Sequence, residues 1–283
     1  MQIWQAIVLG AVQGFAEFLP VSSSGHLILI QRWLGVNENG GGLFFDVMLH
    51  VGTLIPVFIV FFNEILGLFK RPKAVEALDS NGKSVKKRPL FNPKLIYLII
   101  ATIPAGLTGM FLAEHVEGAF YSGDNLSAIL LSITFILTAG ELFVSEWISK
   151  KYKKALPLSY KNTLVMGLAQ GVAIVPGLSR SGTVISSGCF MGVERSQNAN
   201  FTFLMSIPVI LGAALVSGLD LLEAGITVEI LPLLFGILTA AITGYIAIKV
   251  MLKVIKKANY KWFSSYLILI SIASIVSKLV FGI

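Results

Sequence analysis

The sequence is poor in charged residues, and this shortage excludes an ordinary soluble protein. Only 13% of the 283 residues are Asp, Glu, Lys or Arg, whereas soluble domains carry about 25%. Apolar residues make up 55% of the chain, and the mean hydropathy is +0.81. Apolar runs of about 18 residues or more recur, which is the length that a helix needs to cross a bilayer. The composition therefore indicates an integral membrane protein.

Cysteine is almost absent. The single Cys189 excludes an internal disulfide and a zinc site built on cysteine ligands. The N-terminal run MQIWQAIVLG has no positive charge ahead of its apolar residues, so it makes a poor secretory signal. We expect this run to belong to the mature fold.

The net charge of +7 is distributed unevenly along the chain. Most of the 22 Lys and Arg residues fall between apolar runs, in 70–94, 150–161 and 249–261. Basic loops of this kind stay on the cytoplasmic side of a membrane. Their expected partners are anionic lipid headgroups, so nucleic acid is not needed to explain the charge.

Six apolar segments are long enough to span a bilayer: about 43–69, 95–112, 127–148, 200–222, 231–253 and 263–282. The loops between them alternate between basic and acidic. This alternation predicts a multi-pass protein with cytoplasmic loops at 70–94, 149–161 and 254–261.

Two further apolar segments, 3–35 and 162–192, are broken near the middle by Pro, Ser and Gly. Each half is too short to cross a membrane alone. The charges of the neighbouring loops place both ends of each segment on one side. We therefore predict two re-entrant helix hairpins, the first entering from outside and the second from inside.

The broken segments are also related to each other. The run QGFAEFLPVSSSGH at Gln13–His26 returns, altered, as QGVAIVPGLSRSGT at Gln170–Thr183. One hairpin plus three spans crosses the membrane an odd number of times, so two such units in tandem must be inverted. The sequence thus predicts an all-α polytopic membrane protein with one membrane domain, 1–283, made of two inverted repeats at about 3–148 and 162–283.

In this fold the two hairpin tips would meet near mid-bilayer. The helix after each tip would direct its N-terminal dipole to the same place, which favours an anion. A charged side chain at the bilayer centre costs at least about 2.5 kcal/mol. The charged or titratable residues at the tips therefore require an explanation: Glu17, His26 and Arg180.

Each of these residues has a functional and a structural interpretation. The Arg180 guanidinium suits phosphate oxygens, or forms an ion pair with Glu17. Glu17, one turn after Gln13, could hold a divalent cation or position a base, while Gln13 could simply hydrogen-bond a neighbouring helix. His26, after a serine run, could be a general base, a nucleophile on phosphorus or a satisfied polar group.

One more histidine lies in a predicted span. His50 follows Asp46 by four residues, which favours a pair within one helix. The spacing leaves open whether His50 also lines the cavity between the tips.

The two tip motifs resemble the signatures of a known family. Gln13–His26 is similar to the first signature of the undecaprenyl-diphosphate phosphatase family of the bacitracin-resistance type, and Pro176–Gly182 is similar to the second. The resemblance implies an integral-membrane hydrolase that cuts undecaprenyl diphosphate to the monophosphate and inorganic phosphate. This reaction recycles the carrier lipid for peptidoglycan synthesis and confers bacitracin resistance. The resemblance also implies a Mg²⁺ or Ca²⁺ cofactor and an inner (plasma) membrane site opening to the outer side.

The family roles pass to the matching positions of this sequence. The implied catalytic residues are Glu17, Ser23, His26 and Arg180. The implied substrate-binding residues are Gln13, Ser22, Ser24, Gly25, Ser179, Ser181, Gly182 and Thr183. The implied metal ligands are Glu17 and Gln13. We expect Ser23 to attack the terminal phosphorus with His26 as its base, and direct attack by His26 is the alternative.

Two departures from the family pattern affect these roles. Gln13 stands where many members have Glu, which removes a carboxylate from the metal site. Thr183 comes one residue earlier than the family's threonine.

The main alternative function is a transporter or flippase for a polyprenyl phosphate, since inverted repeats with broken helices are typical of transporters. A homodimer is also left open.

Overall fold

The computed structural model describes residues 1–36, 42–71, 75–78, 84–87, 90–151, 155–225, 227–257 and 260–282. These residues form eleven helices and one short β-hairpin. The helices are α1 Ile3–Phe18, α2 Ser23–Trp33, α3 Gly42–Val60, α4 Phe62–Phe69, α5 Pro93–Tyr121, α6 Asn125–Ser149, α7 Tyr160–Val172, α8 Arg180–Phe190, α9 Arg195–Ala224, α10 Ile230–Lys257 and α11 Lys261–Phe281.

Six of these helices, α3, α5, α6, α9, α10 and α11, are long and apolar enough to cross a membrane. This confirms the α-helical, multi-pass prediction. The predicted span 43–69 is wrong in one respect, because its helix breaks at Phe61. A separate short helix, α4, follows the apolar span and carries the exposed polar side chains of Asn63 and Glu64 in its first turn.

The only β-strands of the described chain lie in the predicted basic loop 70–94. Strands β1 (Val75–Leu78) and β2 (Ser84–Lys87) pair antiparallel. Other parts of the predicted basic loops, at 72–74, 79–83, 88–89, 152–154 and 258–259, lie outside the described residues.

Both apolar segments that the motifs interrupt form helix pairs with irregular tips, at 19–22 and 173–179. Helix α1 ends at Phe18 because Pro20 disfavours helical backbone in the residue before it, and Leu19 is extended. Each following helix starts with a serine cap. Ser22 accepts the N–H of Gly25, and Ser179 accepts the N–H of Gly182. The inverted relation of the two repeats and their boundaries stay predictions.

Small residues seat the first helix of each pair closely against a spanning helix. On α1, a Cβ at Gly14 would lie 2.5 Å from the Ala240 carbonyl oxygen of α10. On α7, a Cβ at Gly167 would lie 2.6 Å from the backbone of Ala101 in α5. These close approaches fix where each pair enters the protein.

The two tips meet on one face of α6. A Cβ at Gly25 would lie 2.7 Å from the Phe135 ring and 2.9 Å from the Gly177 Cα atom. Across the tips, the Ser181 hydroxyl donates to the Leu19 carbonyl oxygen at 3.2 Å. The packing therefore brings residues far apart in sequence into one compact region.

Candidate active site

A cavity of about 240 Å³ lies where the two hairpins meet. Its polar wall is formed by Glu17, Ser23, Ser24, His50, Ser179, Arg180 and Ser181. The rest of the wall is apolar and comes from α1, α3, α9 and the second tip. Among the residues that the structure describes, this arrangement suits a ligand with a polar head and an apolar body.

Glu17 is the centre of the polar wall. Its buried carboxylate accepts the Ser23 hydroxyl at 2.7 Å and the Gln13 amide at 3.0 Å, both at Oε2. The other oxygen, Oε1, pairs with Arg180 of the second hairpin. His50 Nε2 lies 3.4 Å from Oε2. One carboxylate thus joins both hairpins, which explains how a charge is tolerated there.

Arg180 is the first residue of α8 and combines both interpretations of its guanidinium. It forms the ion pair with Glu17, yet its side chain is 20% exposed and lines the cavity. A guanidinium carries five N–H donors, and the bond to Glu17 uses one of them, at Nη2. Arg180 can therefore hold Glu17 and bind phosphate oxygens together.

Ser23 has two possible proton acceptors. Its hydroxyl donates to Glu17, and His50 Nε2 lies 3.5 Å from Ser23 Oγ. His50 Nδ1 lies 2.8 Å from the Asp46 carbonyl oxygen, which can only accept, so Nδ1 carries a proton. In the neutral ring Nε2 is then an acceptor that faces Ser23 and Glu17.

The sequence interpretation undervalued His50. Its Nδ1 contacts the Asp46 carbonyl oxygen one turn earlier in α3. A stronger signal was its polarity within the apolar span α3, because titratable residues in spans usually face a functional cavity.

Among the described residues the His26 ring hydrogen-bonds Ser22 and Tyr266 and not Ser23, contrary to the sequence interpretation. Its Nδ1 lies 2.7 Å from the Ser22 carbonyl oxygen, and its Nε2 lies 2.8 Å from the Tyr266 hydroxyl. The ring is 5% exposed and is not among the residues lining the cavity. Both nitrogens have partners, so this geometry supports neither attack by His26 nor proton transfer from Ser23 to His26.

The predicted substrate-binding residues divide into two groups. Ser24, Ser179 and Ser181 line the cavity, whereas Gln13, Ser22, Gly25, Gly182 and Thr183 do not. Ser22 and Gly182 are engaged in helix capping, and Gly25 packs on Phe135. The Thr183 hydroxyl donates to Glu141 at 2.8 Å. Local hydrogen bonding therefore accounts for most of the second group.

The predicted metal ligands fit a divalent cation. Gln13 Oε1 is buried and has no hydrogen-bond partner among the described residues, and it belongs to the amide whose nitrogen donates to Glu17. Carboxylate and amide oxygens are ligands that Mg²⁺ and Ca²⁺ accept. The described residues contain no cluster of three or more His, Cys, Asp and Glu suited to a metal. Oxygens of a bound ligand would therefore have to complete the coordination.

Thr138 of α6 holds the second tip. Its hydroxyl donates to the Gly177 carbonyl oxygen and accepts the Ser179 N–H, both at 3.1 Å.

We expect Thr138→Val to misplace Arg180 and lower kcat/KM for the proposed reaction about tenfold, since two buried polar groups lose their partner. Steady-state kinetics should show recovery in Thr138→Ser. The matched control is Thr102→Val, whose hydroxyl donates to the Leu98 carbonyl oxygen within α5, and an equal loss there would contradict the prediction.

Comparison with known proteins identifies the family of this chain. The family model described as bacitracin resistance protein BacA matches residues 6–273. The chain belongs to this family. A protein named undecaprenyl-diphosphatase from Carboxydothermus hydrogenoformans is 36% identical over 280 residues, covering 98% of this chain and 97% of its own length. A protein of the same name from Pelobacter propionicus is 38% identical over 287 residues, covering 100% and 99%.

The same name belongs to a third relative. The undecaprenyl-diphosphatase of Methanosphaera stadtmanae is 36% identical over 285 residues, covering 99% of both chains. Because the matches span nearly the full length, the likeness includes both hairpins and all six long apolar helices. The resemblance that the tip motifs indicated is thereby confirmed at the level of the family.

Proposed function

We propose that this membrane protein is an undecaprenyl-diphosphatase, which releases inorganic phosphate from undecaprenyl diphosphate. The observation that carries this proposal is the contact of Ser23 and Arg180 with the same buried carboxylate, Glu17. This contact puts a nucleophile, its proton acceptor and a phosphate-binding cation at one cavity. The names of the relatives support the same substrate.

The cavity suits the two chemical parts of such a lipid. The diphosphate would lie against the polar wall, between Arg180 and the serine-capped start of α8. The apolar wall, which includes Val47, Ile174 and Ile210, would face the first isoprene units, and the remaining tail would lie in the bilayer. A phosphate beside a helix N-terminus gains from backbone N–H groups and the helix dipole.

In the proposed reaction, Ser23 Oγ attacks the terminal phosphorus. Its proton passes to Glu17, which already accepts the hydroxyl hydrogen at 2.7 Å. The bridging P–O bond breaks, and its electron pair leaves with the undecaprenyl monophosphate. Arg180 neutralises the charge on the phosphoryl oxygens, which is the main requirement of phosphoryl transfer.

Water then hydrolyses the phosphoserine. Glu17 returns its proton to Ser23 Oγ as the P–O bond breaks, and inorganic phosphate leaves. His50 is placed to take the proton that the water loses, because its Nε2 lies within 3.5 Å of both residues. It would pass this proton to solvent as phosphate leaves. In this scheme Glu17, and not His26, is the base for Ser23, and His50 is the base for water.

A divalent cation, Mg²⁺ or Ca²⁺, is part of the proposal. Glu17 and Gln13 would hold it, and when bound it would add positive charge beside the phosphate oxygens. We expect EDTA to lower phosphate release at least about tenfold, since charge neutralisation in phosphoryl transfer contributes several kcal/mol. Adding back Mg²⁺ or Ca²⁺ in a release assay should restore the rate. Full activity after exhaustive chelation would contradict a role for the cation in the reaction.

The expected biological setting follows from the substrate. Hydrolysis would return the carrier lipid for peptidoglycan synthesis, and faster recycling would confer bacitracin resistance. We place the protein in the inner (plasma) membrane with its cavity open to the outer side. A homodimer is part of the proposal.

A transporter of polyprenyl phosphate is the second candidate, favoured by two broken helix pairs that meet at one cavity. Proteoliposomes containing undecaprenyl diphosphate separate the two functions. We expect release of inorganic phosphate without net movement of intact lipid between leaflets. Movement of intact lipid without phosphate release would favour the transporter.

A further inference from the structure

The backbone immediately before the proposed nucleophile is strained. Ser22 has φ 69° and ψ 94°, and it is the only non-glycine residue with a positive φ in the described part of the chain. A side chain in such a region costs about 1–3 kcal/mol, and it persists only where surrounding contacts enforce it. The Ser22 conformation determines the direction in which Ser23 enters α2.

The enforcing contact comes from His26. Its ring nitrogen Nδ1 lies 2.7 Å from the Ser22 carbonyl oxygen, which also accepts the His26 backbone N–H at 3.2 Å. This carbonyl belongs to the peptide group that joins Ser22 to Ser23. A shift of the His26 ring would therefore rotate the peptide that carries the nucleophile.

The His26 ring is itself held by Tyr266 of α11. The two rings are stacked, with centroids 5.6 Å apart and planes 7° apart, and Phe135 meets the histidine edge-on at 5.4 Å. Because the Ser22 carbonyl can only accept, Nδ1 carries a proton. In the neutral ring Nε2 is then an acceptor, and the Tyr266 hydroxyl donates to it at 2.8 Å. Tyr266 thereby selects the tautomer that holds Ser22.

We propose that Tyr266 and His26 form a positioning pair, which holds the strained Ser22 peptide so that Ser23 Oγ points to Glu17 and the substrate phosphorus. In this proposal, which rests on the proposed hydrolase, His26 transfers no proton in the reaction. Tyr266, which the tip motifs do not include, acts on the reaction through His26 from the far end of the chain.

The first test removes one hydroxyl group. Tyr266→Phe keeps the stacked ring and loses only the donor to His26. We expect kcat to fall about tenfold, the usual scale for a lost buried hydrogen bond, while KM changes less than about twofold. Tyr245→Phe is the matched control, because Tyr245 is seen only in a ring contact with Lys249. Unchanged kcat in Tyr266→Phe would overturn the role of Tyr266.

The second test separates positioning from proton transfer. We expect His26→Ala to lower kcat about a hundredfold, and a second change, Ser22→Gly, to restore about tenfold of that loss. Glycine adopts a positive φ without strain and so needs no side chain to hold it. If His26 were a base or nucleophile, the double variant would be as inactive as His26→Ala, and the proposal would fail.

A third measurement does not depend on hydrolysis. The chain has 3 histidines, so ¹⁵N NMR spectra of labelled protein and its His26→Ala variant identify the His26 ring. We expect a protonated Nδ1 and an acceptor Nε2 whose resonance moves in Tyr266→Phe. The opposite tautomer would contradict the positioning pair. The expected tautomer in a protein that releases no phosphate would contradict only the proposed function.

Discussion

Arg180→Ala should lower kcat/KM for phosphate release from undecaprenyl diphosphate at least about a thousandfold. The guanidinium is the one Lys or Arg side chain on the described polar wall of the cavity. Arginines that neutralise phosphoryl charge in transition states contribute about 10³–10⁵ in rate. Arg180→Lys should recover only part of the loss, because an ammonium lacks the planar fork of donors.

A folding defect is the main competing explanation, because Arg180→Ala leaves Glu17 buried without its partner. Arg195→Ala is the matched control. Arg195 also begins a helix and donates to a hydroxyl, that of Ser149, but it lies outside the cavity. We expect less than about a twofold change in kcat/KM there. Near-normal kinetics of Arg180→Ala, measured with folded protein, would contradict the assigned phosphate-binding role.

Ser23→Ala should abolish the covalent route and lower kcat by about 10³ or more, the scale observed when a nucleophile is removed from a hydrolase. The small change leaves Glu17 its other partners, Arg180 and Gln13. Ser187→Ala serves as the control, because this buried hydroxyl bonds only within α8, and its kcat should stay within about twofold.

Rapid quench with terminally ³²P-labelled substrate gives an independent check on Ser23. Wild-type protein should carry label that Ser23→Ala does not. If Ser23→Ala kept near-full turnover while His26→Ala lost it, attack by Ser23 would be wrong. Direct attack by His26 would then explain the kinetics, and the ring would have to leave its contacts with Ser22 and Tyr266.

Much of the architecture could be predicted because it is set by local chemistry. Pro20 ends α1, and Ser22 and Ser179 cap the helices that follow, so the two breaks are readable as motifs. Spanning segments follow from apolar length, and most of their ends shifted by only a few residues, whereas the first predicted span, 43–69, ends nine residues early at Val60. The pairing of Glu17 with Arg180 was also expected as one alternative, since both tips are broken at corresponding places.

The roles of the histidines could not be predicted in the same way. In a membrane helix, apolar residues cover the lipid-facing and the protein-facing sides alike, so periodicity does not show which side His26 or His50 occupies. Only the packing of α3 and α11 against the tips puts His50 on the cavity and His26 against Tyr266. The motif drew attention to His26, whereas His50 lay outside it.

Isolated hydroxyl groups were the other omission. Thr138 and Tyr266 lie in apolar spans that contain several other hydroxyl residues, and serine, threonine and tyrosine are common in such spans for packing reasons. Nothing in the sequence marks Thr138 as the residue that bonds the second tip.

The two departures from the family pattern had different outcomes. Gln13 still contacts Glu17, whereas Thr183 bonds Glu141 away from the cavity.

The most direct measurement of the central claim is the initial rate of inorganic phosphate release from undecaprenyl diphosphate by the purified full-length protein in detergent with Mg²⁺. The account predicts steady release with one undecaprenyl monophosphate formed for each phosphate. Folded protein that binds the lipid and leaves the diphosphate intact would contradict the hydrolase, and the cavity between the hairpins would then have to serve transport.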